Sequence, residues 1–449
     1  MKYNLRKISG FFKTEKAWVW AALVAAFAIR LYFSFITKKE VAGDQHTYDV
    51  IAMFILKYRS FMIAEGTPTA YITPLYPLFM AGVYACFGHS YLWIRIIQAI
   101  IGTFSCLLVY LIAREVFDRR VAVLSLLLAS VHYFFISYGT MLNSETLFMF
   151  FLALSMLFLL KLCKSGSFVC AALFGLFSSL TVLTRSAQFL FIFPAAAILL
   201  LLPKITGILY KKIFKLLIVA MACFIIPISA WTLRNYLVFK SFIPLGTEAG
   251  IVLYSAYNPV NGKILDMWTR DAVVANVAAM SEAEGSRYLI KATVECIKKD
   301  PSRIYKYIPL RLMYFFSVFD WLAFDKDGKD MQGAYNFSTA FILPLFFLGA
   351  CTAWFKKRSL PVLIVLLPIA YYIFITMAVM GIPRTRLPVE PYMIIFAAFF
   401  MLYVYDLTRF KFLSAGFFAF WYFLNYLLFL NSSAVKIAAR DFLIKIRLW

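Results

Sequence analysis

Long apolar runs, separated by short polar turns, recur from Trp18 to Leu430. A run of about 20 such residues is the length at which a helix crosses the hydrocarbon core of a bilayer. The runs are continuous rather than alternating, which excludes a transmembrane β-barrel. They predict about eleven spans, with ten to thirteen as the range. The first seven are Trp18–Ile36, Leu92–Ala113, Val121–Tyr138, Thr146–Leu160, Phe168–Leu183, Gln188–Leu202 and Leu216–Leu233. The last four are Ser338–Trp354, Leu360–Met380, Pro391–Tyr405 and Phe412–Leu430.

Two longer polar regions interrupt this rhythm. Residues 37–91 form a first loop that contains Gly43–Asp49 and Val50–Tyr58, the latter expected as a short interfacial helix. Pro74 and Pro77 argue against a simple span there. Residues 235–332 are expected as a small external subdomain, with turns at Gly246-Thr247-Glu248-Ala249-Gly250 and Asn258–Gly262 and a helix over Asp271–Lys298. Tyr305–Phe324, broken by Pro309 and Arg311, reads as a helix lying along the membrane, with a full span as the alternative. The chain thus divides at 1–234, 235–332 and 333–449. The fold class is an all-α polytopic integral membrane protein.

Composition agrees: 63% of the 449 residues are hydrophobic and only 15% are charged. The net charge of +23 is scattered between apolar runs, without a basic face or an aromatic RNA-binding signature, so nucleic acid is not an expected partner. Positive loops that fix topology, and attraction to lipid phosphates, account for it. Lys2, Arg6, Lys7, Lys13 and Lys16 precede the first span, which reads as an uncleaved signal anchor with a cytoplasmic N-terminus. Later Lys and Arg clusters then fall inside, and the loop at Asp44 falls outside. Only the tail, with Lys436, Arg440, Lys445 and Arg447, breaks the rule: either one helix is miscounted or the tail lies on the membrane. The seven cysteines follow no metal-ligand spacing, and no internal repeat is visible.

The outer turns each carry a polar candidate. Asp44 can accept a proton from an attacking hydroxyl or hold a divalent cation, and Asp49 is expected to point away from it. His46 is a candidate metal ligand beside Asp44, and otherwise a surface residue. Glu145, at the start of the fourth span, is either a helix N-terminal acid or a functional carboxylate. Arg384 and Arg386, between Pro383 and Pro388, offer two guanidiniums suited to bidentate phosphate binding, with lipid-headgroup snorkelling as the alternative. Arg185 and Arg234 sit at the ends of spans on the same side, and Arg95 with Gln98 lies nearby on the second.

Several of these residues stand in motifs. Gly43-Asp44-x-x-x-Tyr48, Thr73-Pro74-Leu75-Tyr76-Pro77-Leu78-Phe79 and Ser144-Glu145-Thr146-Leu147-Phe148 are followed by Leu183-Thr184-Arg185. Then come Trp231-x-x-Arg234-Asn235-Tyr236 and Arg384-x-Arg386-Leu387-Pro388-x-x-Pro391. In this order, over about residues 17–405, the chain resembles the GT-C glycosyltransferases, within them the protein mannosyltransferase and lipid A aminoarabinose transferase group. Gln45 is a departure, because protein mannosyltransferases carry an adjacent Asp-Glu pair.

The resemblance implies inverting transfer of a sugar from a polyprenyl-phosphate donor to a lipid, glycan or protein acceptor, at the extracytoplasmic face of a bacterial plasma membrane. It implies Asp44 and Glu145 as the catalytic acids, and Arg384 and Arg386 facing the lipid phosphate. His46, Tyr48, Tyr76, Arg185 and Arg234 complete the expected substrate site. No cofactor is required by the sequence; a divalent metal ion on Asp44 and His46 is the one candidate. The alternative function is a secondary transporter or lipid flippase, which would need ionisable residues inside the spans and related halves.

Overall fold

The computed structural model describes residues 2–37, 41–206, 209–258, 272–277, 279–319, 323–324, 331–332, 335–379, 381–409 and 411–431. The first half runs α1 (Lys2–Ile36), α2 (Asp44–Tyr58), the hairpin β1 (Met62–Ala64) and β2 (Thr67–Pro68), α3 (Leu75–Phe87) and α4 (Tyr91–Val116). Then follow α5 (Arg119–Ser130), α6 (Tyr133–Gly139), α7 (Glu145–Ser165), α8 (Phe168–Thr184), the 3-10 helix Ser186–Phe191, α9 (Ile192–Thr206) and α10 (Tyr210–Phe239). Shorter helices come next: α11 (Glu248–Tyr257), α12 (Ala272–Val277), α13 (Glu282–Lys299), α14 (Arg303–Lys306) and α15 (Ile308–Phe315). The chain closes with α16 (Phe337–Lys357), α17 (Leu360–Ala378), α18 (Pro383–Arg386), α19 (Glu390–Leu407) and α20 (Lys411–Leu430).

Each expected span falls on helical chain, the third on α5 and α6 together and the sixth on the 3-10 helix and α9, but not each helix is a full crossing. Among the described residues eight helices are long and apolar enough to cross a membrane, and α5 with α6 would make a ninth, bent by 48°. The expected fifth and sixth spans are the shorter apolar helices Phe168–Thr184 and Ser186–Leu201. The polar stretch at Asp44 is not a loop: it is the first turn and a half of α2. Gly43, at φ +58° and ψ −131°, makes the entry into that helix, a conformation that a residue with a Cβ would strain. Tyr305–Phe324 is not one helix either; α14 and α15 are short, and Pro309 sits in the first turn of α15. The expected helix at Asp271–Lys298 is α12 and α13, with Asp271 outside the described residues, as are Pro259–Gly262 and the basic tail from Ser432 to Trp449.

The two most enclosed spans are α7 and α19. Their apolar windows are 72% and 67% buried, against 17% for α20 at the periphery. Helix α8 lies between α7 and α10, α16 packs on α19, and α4 bridges α1, α5 and α7. At the far end of the bundle, Arg120 makes a bidentate pair with Asp406 (2.9 and 2.6 Å), and Lys164 meets Glu115 at 2.7 Å. Glu145 and Pro383 begin α7 and α18 at the other end, so the innermost helices deliver their N-termini to one polar surface. Gly381 lets that corner close, since a Cβ there would lie 2.0 Å from the carbonyl oxygen of Arg311.

Candidate active site

Four charged side chains from α2, α7, α18 and the turn after α8 meet at this end. Arg384 donates Nη1 to Asp44 Oδ2 at 2.6 Å and Nε to Glu145 Oε1. Arg185 donates Nη1 to the same Glu145 oxygen at 2.5 Å. Side-chain exposure rises from 0% at Glu145 through 19% at Arg384 and 29% at Arg185 to 56% at Asp44. The arrangement is a cup with an acid floor, basic walls and an acid rim. These two carboxylates and two guanidiniums offset one another, as partial burial requires.

The tyrosines of the motifs support this cup rather than line it. Tyr48 packs edge-on against Tyr76 with centroids 4.8 Å apart, and its hydroxyl reaches Ser144 Oγ at 3.3 Å. Burial pushes the Tyr48 phenol up to about 12, so it stays a neutral hydrogen-bond donor. Tyr76 donates to Gln98 Oε1 at 2.7 Å, and Gln98 Nε2 holds the carbonyls of Gly139 and Met141 at 3.0 and 2.8 Å. Gln45 Oε1 accepts from Leu142 N at 3.0 Å, which ties α2 to the segment before α7. Asp49 faces away from Asp44, as its spacing predicts, and accepts from Tyr84, Tyr91 and His89 at 2.7, 2.8 and 3.0 Å.

Four further arginines, Arg234, Arg95, Arg311 and Arg30, donate to backbone carbonyls. Arg234 donates to Phe61 and Thr69 at 2.8 Å, its guanidinium lying over Phe61, Trp231 and Phe239. Arg95 holds Thr37 and Thr140 at 2.8 and 2.9 Å, and Arg311 holds Met377 and Ala256 at 2.7 Å. Arg30 takes the last carbonyls of α5, Ala129 and Ser130, at 3.2 and 3.0 Å and so closes the bend before α6. Cations at helix C-termini complement the macrodipole and satisfy orphan carbonyls. This disposition accounts for much of the basic charge at the end read from sequence as charge-poor.

Arg386 follows the same rule, contrary to its expected pairing with Arg384. It is fully buried, donates to Glu390 Oε1 at 2.8 Å, to Ser317 O at 2.7 Å and to Phe315 O, and faces Phe134. Residues 384 and 386 lie on a single helical turn and point to different surroundings, which spacing in a loop does not reveal. Arg386→Met is expected to destabilise the fold by about 3–5 kcal/mol, because Glu390 is left buried without its cation. Thermal unfolding in detergent checks this: the double variant with Glu390→Leu should recover most of the loss, and a single variant as stable as the parent contradicts the structural role.

Residues 71–231 match the family model for dolichyl-phosphate-mannose-protein mannosyltransferases. The fold is similar to the oligosaccharyltransferase AglB of Archaeoglobus fulgidus, solved with an inhibitory peptide and a dolichol-phosphate: TM-score 0.57, 16% identity, 95% of this chain and 56% of that one. It is also similar to ArnT of Cupriavidus metallidurans bound to undecaprenyl phosphate: TM-score 0.56, 14% identity, 89% of this chain and 61% of that one. The fold is that of the GT-C glycosyltransferases. The chain spans little more than half the length of these two structures, and no curated protein matches it in sequence.

Within the GT-C frame the donor set does not fit a divalent ion. Glu145 Oε1 and Asp44 Oδ2 are both occupied by guanidinium donors, His46 is exposed, and no group of three or more His, Cys, Asp or Glu among the described residues is arranged around a common point. A dication placed between Asp44 and Glu145 would have to displace, or lie against, the two guanidiniums already bound to those carboxylates. No step below is routed through a metal.

One residue at the cup has no place in the motifs. Glu248, in the first turn of α11, accepts from Ser186 Oγ at 3.1 Å, next to Arg185. Its signal in the sequence is an acid between Gly246 and Gly250, a flexible pair that lets a charged side chain enter a crowded site. Thr247 N and Glu248 N donate to Ala70 O and Tyr71 O at 2.9 and 3.1 Å, docking the turn onto the segment before α3. Glu282 clasps both sides: its carboxylate accepts from Thr69 Oγ1 (2.8 Å), Ala70 N (2.9 Å) and Thr247 Oγ1 (2.7 Å).

Proposed function

We propose that this chain is an inverting glycosyltransferase that moves a sugar from a polyprenyl-phosphate donor to a hydroxyl of a lipid, glycan or protein acceptor, at the extracytoplasmic face of a bacterial plasma membrane. The observation that carries the reading is Arg384 bound at once by Asp44 and Glu145, with Arg185 on the same Glu145 oxygen. Such a cluster pairs its charges at rest and can exchange partners. A lipid phosphate entering the cup takes the outward donors of Arg384 and Arg185, and Asp44 at the rim is released toward the incoming acceptor. As the bond from C1 to the phosphate oxygen breaks, the two guanidiniums meet growing negative charge on the leaving group. The acceptor oxygen attacks C1 from the opposite face and loses its proton to a carboxylate, which inverts the anomeric centre.

AglB with a dolichol-phosphate and ArnT with undecaprenyl phosphate support a lipid phosphate as the ligand class for this fold. The positive-inside distribution supports an outer site. The test is incubation of the purified protein with a panel of polyprenyl-phosphate sugars, scoring released polyprenyl phosphate. Asp44→Asn removes the charge that positions Arg384 and is expected to reduce release about 100-fold while the protein remains folded in the membrane; near-parental turnover removes Asp44 from the site.

A further inference from the structure

Three carboxylates share the cup, and they are not equivalent. Asp44 and Glu145 are each bonded to a guanidinium. Each of them must part from an arginine before both of its oxygens are free. Glu248 pairs with no arginine or lysine among the described residues; its one hydrogen bond comes from the Ser186 hydroxyl, and its carboxyl is half-buried. Ser186 can as well accept as donate, so this contact serves the acid and the carboxylate alike.

The turn that carries Glu248 is fixed rather than free. Two backbone hydrogen bonds to residues 70 and 71 and the Glu282 clasp hold it, and Ser286 Oγ donates to Thr247 O at 2.8 Å. A base must be placed to a fraction of an ångström to act in the transition state, and a residue on a docked helix N-terminus meets that need.

Resting on the transferase reading, we propose that Glu248 is the general base: its free carboxylate oxygen takes the proton of the acceptor hydroxyl as that oxygen bonds to sugar C1. The electron pair of the C1–O bond leaves with the polyprenyl phosphate, held by Arg185 and Arg384. Glu248 ends the step as a neutral acid and returns its proton to water at the open side of the cup. Asp44 then serves the reaction as the partner that Arg384 exchanges for phosphate.

The surroundings of Glu248 suit this task. Burial raises its carboxyl above the usual carboxylate range; Arg185 and Arg384 oppose that rise and Asp44 adds to it. Tyr71, partly covered at the cup's edge, is a neutral phenol pushed up to about 12 by burial and by Glu248, Asp44 and Glu282. A raised carboxyl is a stronger base once ionised and is lost as base when pH falls through its own value, so transfer should decline on the acid side at a pH above that of an ordinary glutamate.

The experiment compares full-length parent, Glu248→Gln and Glu248→Asp in nanodiscs, measuring release of polyprenyl phosphate from its sugar conjugate across pH and, separately, binding of sugar-free polyprenyl phosphate. Glu248→Gln should lose about 100- to 10,000-fold in transfer and bind polyprenyl phosphate within about threefold of the parent, a margin well below the tenfold that 1.4 kcal/mol represents. Glu248→Asp should recover part of the rate with a shifted acid limb. If Glu248→Gln transfers like the parent while the parent binds the lipid phosphate, the role of Glu248 is overturned and the transferase reading stands. A parent that neither binds polyprenyl phosphate nor releases it overturns both.

Discussion

Arg384→Ala should abolish sugar transfer, with a loss of about 1,000-fold or more, since removing one preorganised donor to a developing anion already costs about 100- to 1,000-fold and this arginine also holds two acids in place. Arg384 is the only side chain bonded to both Asp44 and Glu145, among the described residues. Its loss leaves Asp44 unpaired at the rim and Glu145 with Arg185 alone. Arg384→Lys separates charge from shape. A lysine ammonium restores the positive charge but not the planar fork, so it can reach one carboxylate at a time. The expected result is partial return of lipid phosphate binding with little return of turnover. Both are read in one preparation, as polyprenyl phosphate affinity and as its rate of release from the sugar conjugate. A lysine variant with full turnover would mean that Arg384 acts as a bare charge and that the bridging geometry is incidental.

The membrane helices were legible because a bilayer imposes a length and a composition on each span, and every predicted span lies over helical chain, although the third takes in two helices and the sixth a 3-10 helix with α9. Crossing number was less legible. Helices α8 and α9 with its 3-10 lead-in are short, and α5 and α6 bend where Arg30 draws off the carbonyls of Ala129 and Ser130, a long-range contact with no local signature. At the site, Asp44, Glu145, Arg185 and Arg384 were each visible as polar residues at the ends of apolar runs. Which arginines face a ligand was not. Arg234, Arg311 and Arg386 look identical to Arg384 in one dimension, and differ in that backbone carbonyls lie within reach of the guanidinium. Glu248 was obscured for a related reason. It belongs to an external turn whose contacts with Ser186 and Tyr71 join segments far apart along the chain, and no periodicity reports such a meeting.

Glu145→Gln is expected to separate binding from turnover in opposite directions. Glu145 is fully buried and offers one oxygen, Oε1, to both Arg185 and Arg384, while its Oε2 has no partner. In the resting cup this carboxylate competes with any incoming anion for the same guanidiniums. Neutralising it removes the competitor and leaves the two arginines without the carboxylate they share, so polyprenyl phosphate should bind more tightly, by about tenfold for each 1.4 kcal/mol of competition removed. The same change should slow turnover at least about 100-fold, because a product phosphate held without a rival leaves slowly and because the arginines lose the anchor that aims them. It should also lower thermal stability of the ligand-free protein, since like charges then face each other in a half-buried site, and polyprenyl phosphate should restore that stability by mass action. Titration of the lipid phosphate against parent and variant, followed by thermal unfolding with and without it, reads all of these effects. Weaker lipid binding by the variant would show that Glu145 orients the arginines without competing for them, and the exchange of carboxylate for phosphate would have to be abandoned as the way this cup opens.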